Sequence, residues 1–207
     1  MKHHPAFRFF LQNYHFLVTI KMTTDQVKIE EFCAKYGSNA NDVKAVNENG
    51  ESLLHQMSIL ESLADVESLV AKGADVNAKN IFGTTPLHRA VAKKENIEVV
   101  KYLVSKGADV GAKDKDGRAP IHVATYFENI EIAEFLLAQG ADINVKNKLA
   151  KTPLHGMAYG RGNVEVAQML VSKGADVHAK THEGKTPFDI AEEIGNTELA
   201  EFLSGIR

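Results

Sequence analysis

The phrase GAD, then valine or isoleucine, two further residues and lysine, stands at Gly73, Gly107, Gly140 and Gly174, at intervals of 34, 33 and 34 residues. A second phrase keeps the same beat: SLLH at Ser52 to His55, TPLH at Thr85 to His88, APIH at Ala119 to His122, TPLH at Thr152 to His155 and TPFD at Thr186 to Asp189. Self-similarity at this period requires one supersecondary unit stacked on copies of itself, because so short a unit cannot bury its apolar face alone. The chain must therefore be read as an array, and its function sought on the surface of that array.

Each phrase does a definable job. In Thr85-Pro86 and Thr152-Pro153, threonine is placed to accept from the free amides of a helix start, and proline suits the first helical position, where its missing N–H is not needed. A second apolar stripe follows, as in Ile97, Val99, Val100, Leu103 and Val104, whose spacing turns one helical face to a core. That helix closes at the glycine, which enters the left-handed region without steric cost, with Lys72, Lys106 and Lys173 placed to offset the negative end of the helix dipole. Between the helix pairs lie Asn47-Glu48-Asn49-Gly50, Asn80-Ile81-Phe82-Gly83, Asp114-Lys115-Asp116-Gly117 and Thr181-His182-Glu183-Gly184, which read as tight turns ending in glycine. Ala150 holds that glycine position in the fourth turn, and Ala119 lacks the capping hydroxyl of the other helix starts.

These features together resemble the ankyrin repeat family, whose unit is a β-turn and two helices in about 33 residues, with T-P-L-H opening the first helix. The resemblance implies an all-α solenoid of antiparallel helix pairs with projecting β-turn or hairpin tips. It covers residues 47 to 207 as five units, 47–79, 80–113, 114–146, 147–180 and a shortened 181–207. Residues 22–46, with Val27, Ile29, Phe32 and Cys33 before Gly37, read as a degenerate capping helix. The last unit breaks pattern with Glu192, Glu193, Glu198 and Glu201, the polar outer face that a terminal repeat needs. The resemblance also implies a structural histidine ladder, His55, His88, His122 and His155, bonded to backbone between units. It further makes Asn77 and Asn144, eight residues after Leu69 and Leu136, suitable for asparagine hydroxylation.

Composition fits a soluble array: 44% of residues are hydrophobic, and the net charge of −3 gives no global attraction to nucleic acid or anionic lipid. Cys33 is the only cysteine and no N-x-S/T acceptor occurs, so a reducing, cytoplasmic setting is expected, extending to delivery into a host cell for an effector. Residues 1–21 do not fit the repeat. They hold Phe7, Phe9, Phe10, Leu11, Tyr14, Phe16, Leu17, Val18 and Ile20, broken by Arg8, Gln12, Asn13 and His15. The apolar run is too short to span a bilayer, which takes roughly 20 residues, and it has no signal-peptide cleavage site. Three readings stay open: a helix on the first repeat, an extension preceding a start at Met22, or a membrane-surface anchor.

Chemical motifs fare poorly. The four histidines recur once per unit, and helices packed about 8 to 10 Å apart cannot bring them to one metal ion at roughly 2 Å. Ala179 to Thr186, AKTHEGKT, matches only the loosest phosphate-loop pattern, lacking its first glycine and preceding strand. The Asp114-Lys115-Asp116-Gly117 turn lacks a calcium loop's first ligand and closing glutamate, since Ala112 and Val123 stand there. No catalytic, metal or cofactor site is expected, and the chain reads as a non-enzyme without a small-molecule substrate.

The expected working surface is the concave strip that the resemblance assigns to partners. By register it holds Glu48, Asn49, Glu51, Ile59 and Leu60, then Ile81, Phe82, Thr84 and Lys93, then Lys115, Asp116, Arg118, Tyr126 and Phe127, then Lys148, Leu149, Lys151 and Tyr159, and last His182, Glu183 and Lys185. Aromatic and arginine anchors are typical of protein interfaces, so Phe82, Tyr126, Phe127 and Tyr159 form the expected centre, with Phe127 and Ile59 alternatively packing under the tips. Lys93, Lys115, Lys148, Lys151 and Arg118 predict a local positive excess and a partner with an acidic and apolar surface. The expectation is a monomeric protein-binding module, adaptor or inhibitor, with a host-directed effector and a membrane scaffold anchored by residues 7–20 as rivals.

Overall fold

The computed structural model describes residues 43–60, 62–159 and 162–206. Their ten α-helices form five consecutive pairs: α1 (Leu53–Ile59) with α2 (Leu63–Ala71), α3 (Pro86–Ala90) with α4 (Ile97–Ser105), α5 (Pro120–Tyr126) with α6 (Ile130–Ala138), α7 (Pro153–Tyr159) with α8 (Val164–Ser172), and α9 (Pro187–Ile194) with α10 (Thr197–Ser204). A 3₁₀ turn, Lys94–Asn96, leads into α4. Among the described residues no strand forms beyond an isolated bridge between Val46 and Ser52. The extension 1–21 and the capping helix read around Val27 to Cys33 lie outside the described residues.

The first helices pack in a row, α1 on α3, α3 on α5, α5 on α7 and α7 on α9, with each second helix against its own partner. The core is therefore continuous along the array. Leu53, Leu54, Leu87, Ile121, Leu154 and Ile190 from the first helices meet Val66, Leu69, Val100, Leu103, Ile132, Leu136, Val166, Leu170, Leu199 and Leu203 from the second. Truncating any such leucine to alanine is worth about 2 to 5 kcal/mol.

The helix starts follow from their phrases. Backbone N–H of His55 and His88 donates to the hydroxyls of Ser52 and Thr85, and Asp189 does the same to Thr186. At Ala119 no hydroxyl exists, so the third pair keeps only half of the arrangement, the Ala119 N–H donating to Nδ1 of His122 at 3.1 Å. Second helices end on Gly73, Gly107, Gly140 and Gly174, with φ between 88° and 95°. There the following alanine N–H returns to the helix, as from Ala74 to Leu69 O at 3.0 Å, the Schellman closure that favours glycine.

Two kinds of asparagine tie one pair to the next. Asn96 Nδ2 donates to Ser58 O (2.9 Å), Asn129 Nδ2 to Val91 O (2.7 Å) and Asn196 Nδ2 to Gly162 O (3.0 Å). On the opposite connection, Asn77 Nδ2 donates to Gly107 O (2.9 Å) and its Oδ1 accepts from Asp109 N–H (2.9 Å). Asn144 makes the same clamp on Gly174 O (3.1 Å) and Asp176 N–H (2.8 Å). Gly111 and His178 occupy the equivalent positions of the other two junctions.

Candidate binding surface

Four tips are built alike by an acceptor side chain at their first residue. Oδ1 of Asn80 accepts from the N–H of Phe82 (2.9 Å) and Thr84 (3.0 Å). Oδ1 of Asp114 does so for Asp116 and Arg118 (both 2.8 Å), and Oδ1 of Asn147 for Leu149 (2.9 Å) and Lys151 (3.0 Å). Asn47 repeats the pattern with Asn49 and Glu51. A carboxamide or carboxylate that bonds its own backbone two residues on fixes a turn without other support. Each tip then joins the next through one backbone bond: Ile81 N–H to Asn49 O (3.0 Å), Lys115 to Phe82 O (2.8 Å), Lys148 to Asp116 O (2.9 Å) and His182 to Leu149 O (3.1 Å).

That junction explains the closing residues. At Gly83 and Gly117, φ is 76° and 77°, and a Cβ would lie 2.9 Å from the next tip's Lys115 N or Lys148 N. Ala150 holds the same left-handed conformation, φ 57°, in the tip whose junction hydrogen bond, His182 N–H to Leu149 O, is the longest of the four.

On this row Ile81, Phe82 and Leu149 are 48%, 40% and 49% exposed, large for apolar side chains on a fixed backbone. Lys115 and Lys148 are exposed beside them, and Lys79, Lys113, Lys146 and Lys180 stand exposed where the chain enters each tip. Nζ of Lys79 and Lys113 reach the carbonyls of Lys113 and Lys146 (both 3.3 Å). Among the described residues no carboxylate pairs with Lys79, Lys113, Lys115, Lys146 or Lys148.

Several other residues of the expected strip are engaged internally. Arg118 is not free to add to a positive excess: Nε meets Asp114 Oδ2 at 2.8 Å and a terminal nitrogen meets Asp116 Oδ2 at 2.9 Å, so its charge is spent holding the tip. Glu51 is buried and paired with Arg89 rather than presented on the strip. Tyr126 is half-buried and stands edge-on to Phe127, centroids 5.2 Å apart, while Phe127 and Leu60 pack against the core. Ile59, Thr84 and Lys93 are half-buried, and Glu48, Asp116, His182 and Glu183 are exposed. Lys151 lies with Nζ 3.9 Å from the centre of the Tyr159 ring, a cation–π contact; burial lowers the lysine's pKa and raises the tyrosine's. Lys185 pairs with Glu193 at 2.6 Å. The signal for these Asx acceptors is Asn or Asp three residues before a glycine, present in three of the tips, a spacing that tight-turn composition alone does not single out.

The histidines sit inside the array. Nδ1 of His55, His88, His122 and His155 accepts from the N–H of Ser52, Thr85, Ala119 and Thr152 at 3.1 to 3.2 Å. Nε2 faces the carbonyl of Thr84, Arg118, Lys151 or Lys185 in the next pair, at 2.9 to 3.2 Å. A carbonyl only accepts, so the proton is on Nε2 and each ring is neutral and bridges two repeats. Burial lowers the pKa of all four, that of His122 to about 4. Among the described residues no cluster of three or more His, Cys, Asp or Glu could hold a metal, and no helix is long and apolar enough to cross a membrane.

A family model described as Ankyrin repeats (3 copies) matches residues 25–114, 54–147 and 121–206. A 76-residue stretch, 37% of the chain, is 40% identical to Ankyrin repeat protein OPG189 of Variola virus. The like-named proteins of Monkeypox virus and Vaccinia virus (strain Copenhagen) are 38% and 37% identical over the same length. Each match spans 13% of the relative's own length.

Proposed function

Because the chain belongs to the ankyrin repeat family, whose repeats generally mediate protein–protein interaction, we propose that it is a non-catalytic binding module whose concave row of tips docks a protein partner, as adaptor or inhibitor. The observation that carries this is the exposure of Ile81, Phe82 and Leu149 on tips that are already fixed. Exposed apolar side chains on a preorganised backbone lose little conformational freedom when covered, which is how a surface gains affinity. The exposed lysines around them favour an acidic partner surface. Lys93, Arg118, Tyr126, Phe127, Lys151 and Tyr159 act behind this row: Arg118 and Lys151 shape the tips, and the aromatics support them.

The histidine bridges serve as structural ladder, the five units run 47–79, 80–113, 114–146, 147–180 and 181–207, and the module works as a monomer in the cytoplasm. A second reading, a host-directed effector, is favoured by the viral relatives; colocalisation in infected cells tests it. The main reading is tested by affinity capture with mass spectrometry, comparing the parent with Phe82→Ala and Leu149→Ala. A protein recovered by the parent and lost with both variants supports it. Recovery unchanged by both while a change on the second-helix face, such as Glu134→Arg, abolishes it refutes the concave assignment.

A further inference from the structure

The placement of the two apolar tips limits the shape of what they bind. Phe82 and Leu149 are both the third residue of their tips and stand two tips apart, with Lys115-Asp116 between them. Packed helices repeat at about 8 to 10 Å, so the two anchors are separated by roughly 16 to 20 Å. An extended chain rises about 3.3 Å per residue and covers that distance in about five or six residues. An amphipathic helix would instead lay a continuous apolar stripe across the charged middle tip, leaving Lys115 buried without a partner, and unpaired burial of a charge is costly.

The intervening charge is positive on balance. Arg118 is shared between Asp114 (2.8 Å) and Asp116 (2.9 Å), one cation against two carboxylates, whereas the lysines Lys113, Lys115, Lys146 and Lys148 carry no ion pair among the described residues. We infer that the partner presents an extended segment with two apolar side chains about six positions apart, seated on Phe82 and Leu149, and carboxylates between them facing Lys113, Lys115, Lys146 and Lys148. This deepens the protein-binding reading and rests on it. The chain's own first 21 residues do not fit this seat, since they contain no Asp or Glu and carry Lys2, Arg8 and Lys21.

The test is fluorescence anisotropy of the full chain with a synthetic labelled peptide holding two leucines six positions apart and aspartates and glutamates between. The parent is expected to bind it. Binding is expected to fall about tenfold or more in Lys115→Glu/Lys148→Glu and in Phe82→Ser/Leu149→Ser, and by a similar factor when the carboxylates become amides or the leucines stand three apart. Circular dichroism checks each variant, and the peptide series decides the matter on the parent alone should a variant misfold. Equal binding of every peptide, or equal binding of a single-stranded oligothymidylate of the same charge, overturns the inference. No peptide binding, with a captured protein still dependent on Phe82 and Leu149, overturns the extended acidic segment and leaves the protein-binding reading standing.

Discussion

The second and third helix pairs share one framework and differ in how well local rules are kept. In the second, Thr85 caps α3, His88 has both a hydroxyl and an amide at Nδ1, and the Asn77 clamp grips Gly107 and Asp109. In the third, Ala119 offers no hydroxyl, Gly111 makes no clamp, and Glu128 adopts φ 60° with a buried carboxylate oxygen that has no hydrogen-bond partner. Yet the third pair sits mid-array, where the Thr125 hydroxyl lies 3.3 Å from Pro153 O and Asn129 Nδ2 reaches Val91 O at 2.7 Å. Bonds to neighbours on both sides hold a unit that is weak on its own, as expected where repeat stability sums intrinsic and interface parts.

The largest expected effect concerns the histidines. Their folded pKa values lie below the ordinary 6.5, so the folded state prefers the neutral ring. Stability is then complete above pH 6.5 and is lost as pH falls toward the folded values. His122, at about 4, contributes on the order of 3 kcal/mol to that loss by pH 4. Denaturant midpoints across this range, with NMR titration of His88 and His122, check it; a midpoint flat from pH 7 to 4 contradicts it.

Next comes Glu128→Gly, which relieves a left-handed non-glycine residue and removes the unpartnered carboxylate; about 1 to 2 kcal/mol of added stability is expected. Ala150→Gly should gain about 1 kcal/mol by the same backbone argument, and thermal unfolding of the two variants compares a strained loop with a strained tip. Ala119→Thr should add roughly 1 kcal/mol by completing the cap. The smallest effect is Gly111→Asn, where a Cβ meets nothing closer than Asp109 Oδ1 at 3.4 Å. A solvent-exposed clamp of the Asn77 type is worth about 0.5 kcal/mol. If Ala119→Thr and Gly111→Asn leave the midpoint unmoved, the contrast between the two pairs is not one of local stability.

The array was legible because each device is written as a residue type at a fixed offset: threonine and proline at helix starts, glycine after the second helix, and Ala150 where every other tip has glycine. Glu128 was not, because the loops inside the pairs vary in length and hide the register. Aligning Glu128-Asn129 with Gly162-Asn163 and Gly195-Asn196, whose glycines are also left-handed, exposes it in retrospect. On the strip, exposure of Ile81, Phe82 and Leu149 follows from turn position, but the occupation of Arg118 by Asp114 and Asp116 does not. It depends on where two carboxylates of a folded turn point, which sequence spacing leaves open. Tyr126 and Phe127 were ambiguous for a similar reason, since the end of a short first helix can face the groove or the core.

Docking of a partner on the tips is open to site-specific photocrosslinking. A benzophenone amino acid is placed in turn at Phe82, at Leu149 and at Glu134 on the second-helix face, and the full chain is irradiated with its captured partner. Docking on the tips gives crosslinks to the same partner segment from the first two positions and none from the third. Crosslinking from Glu134 alone would contradict it.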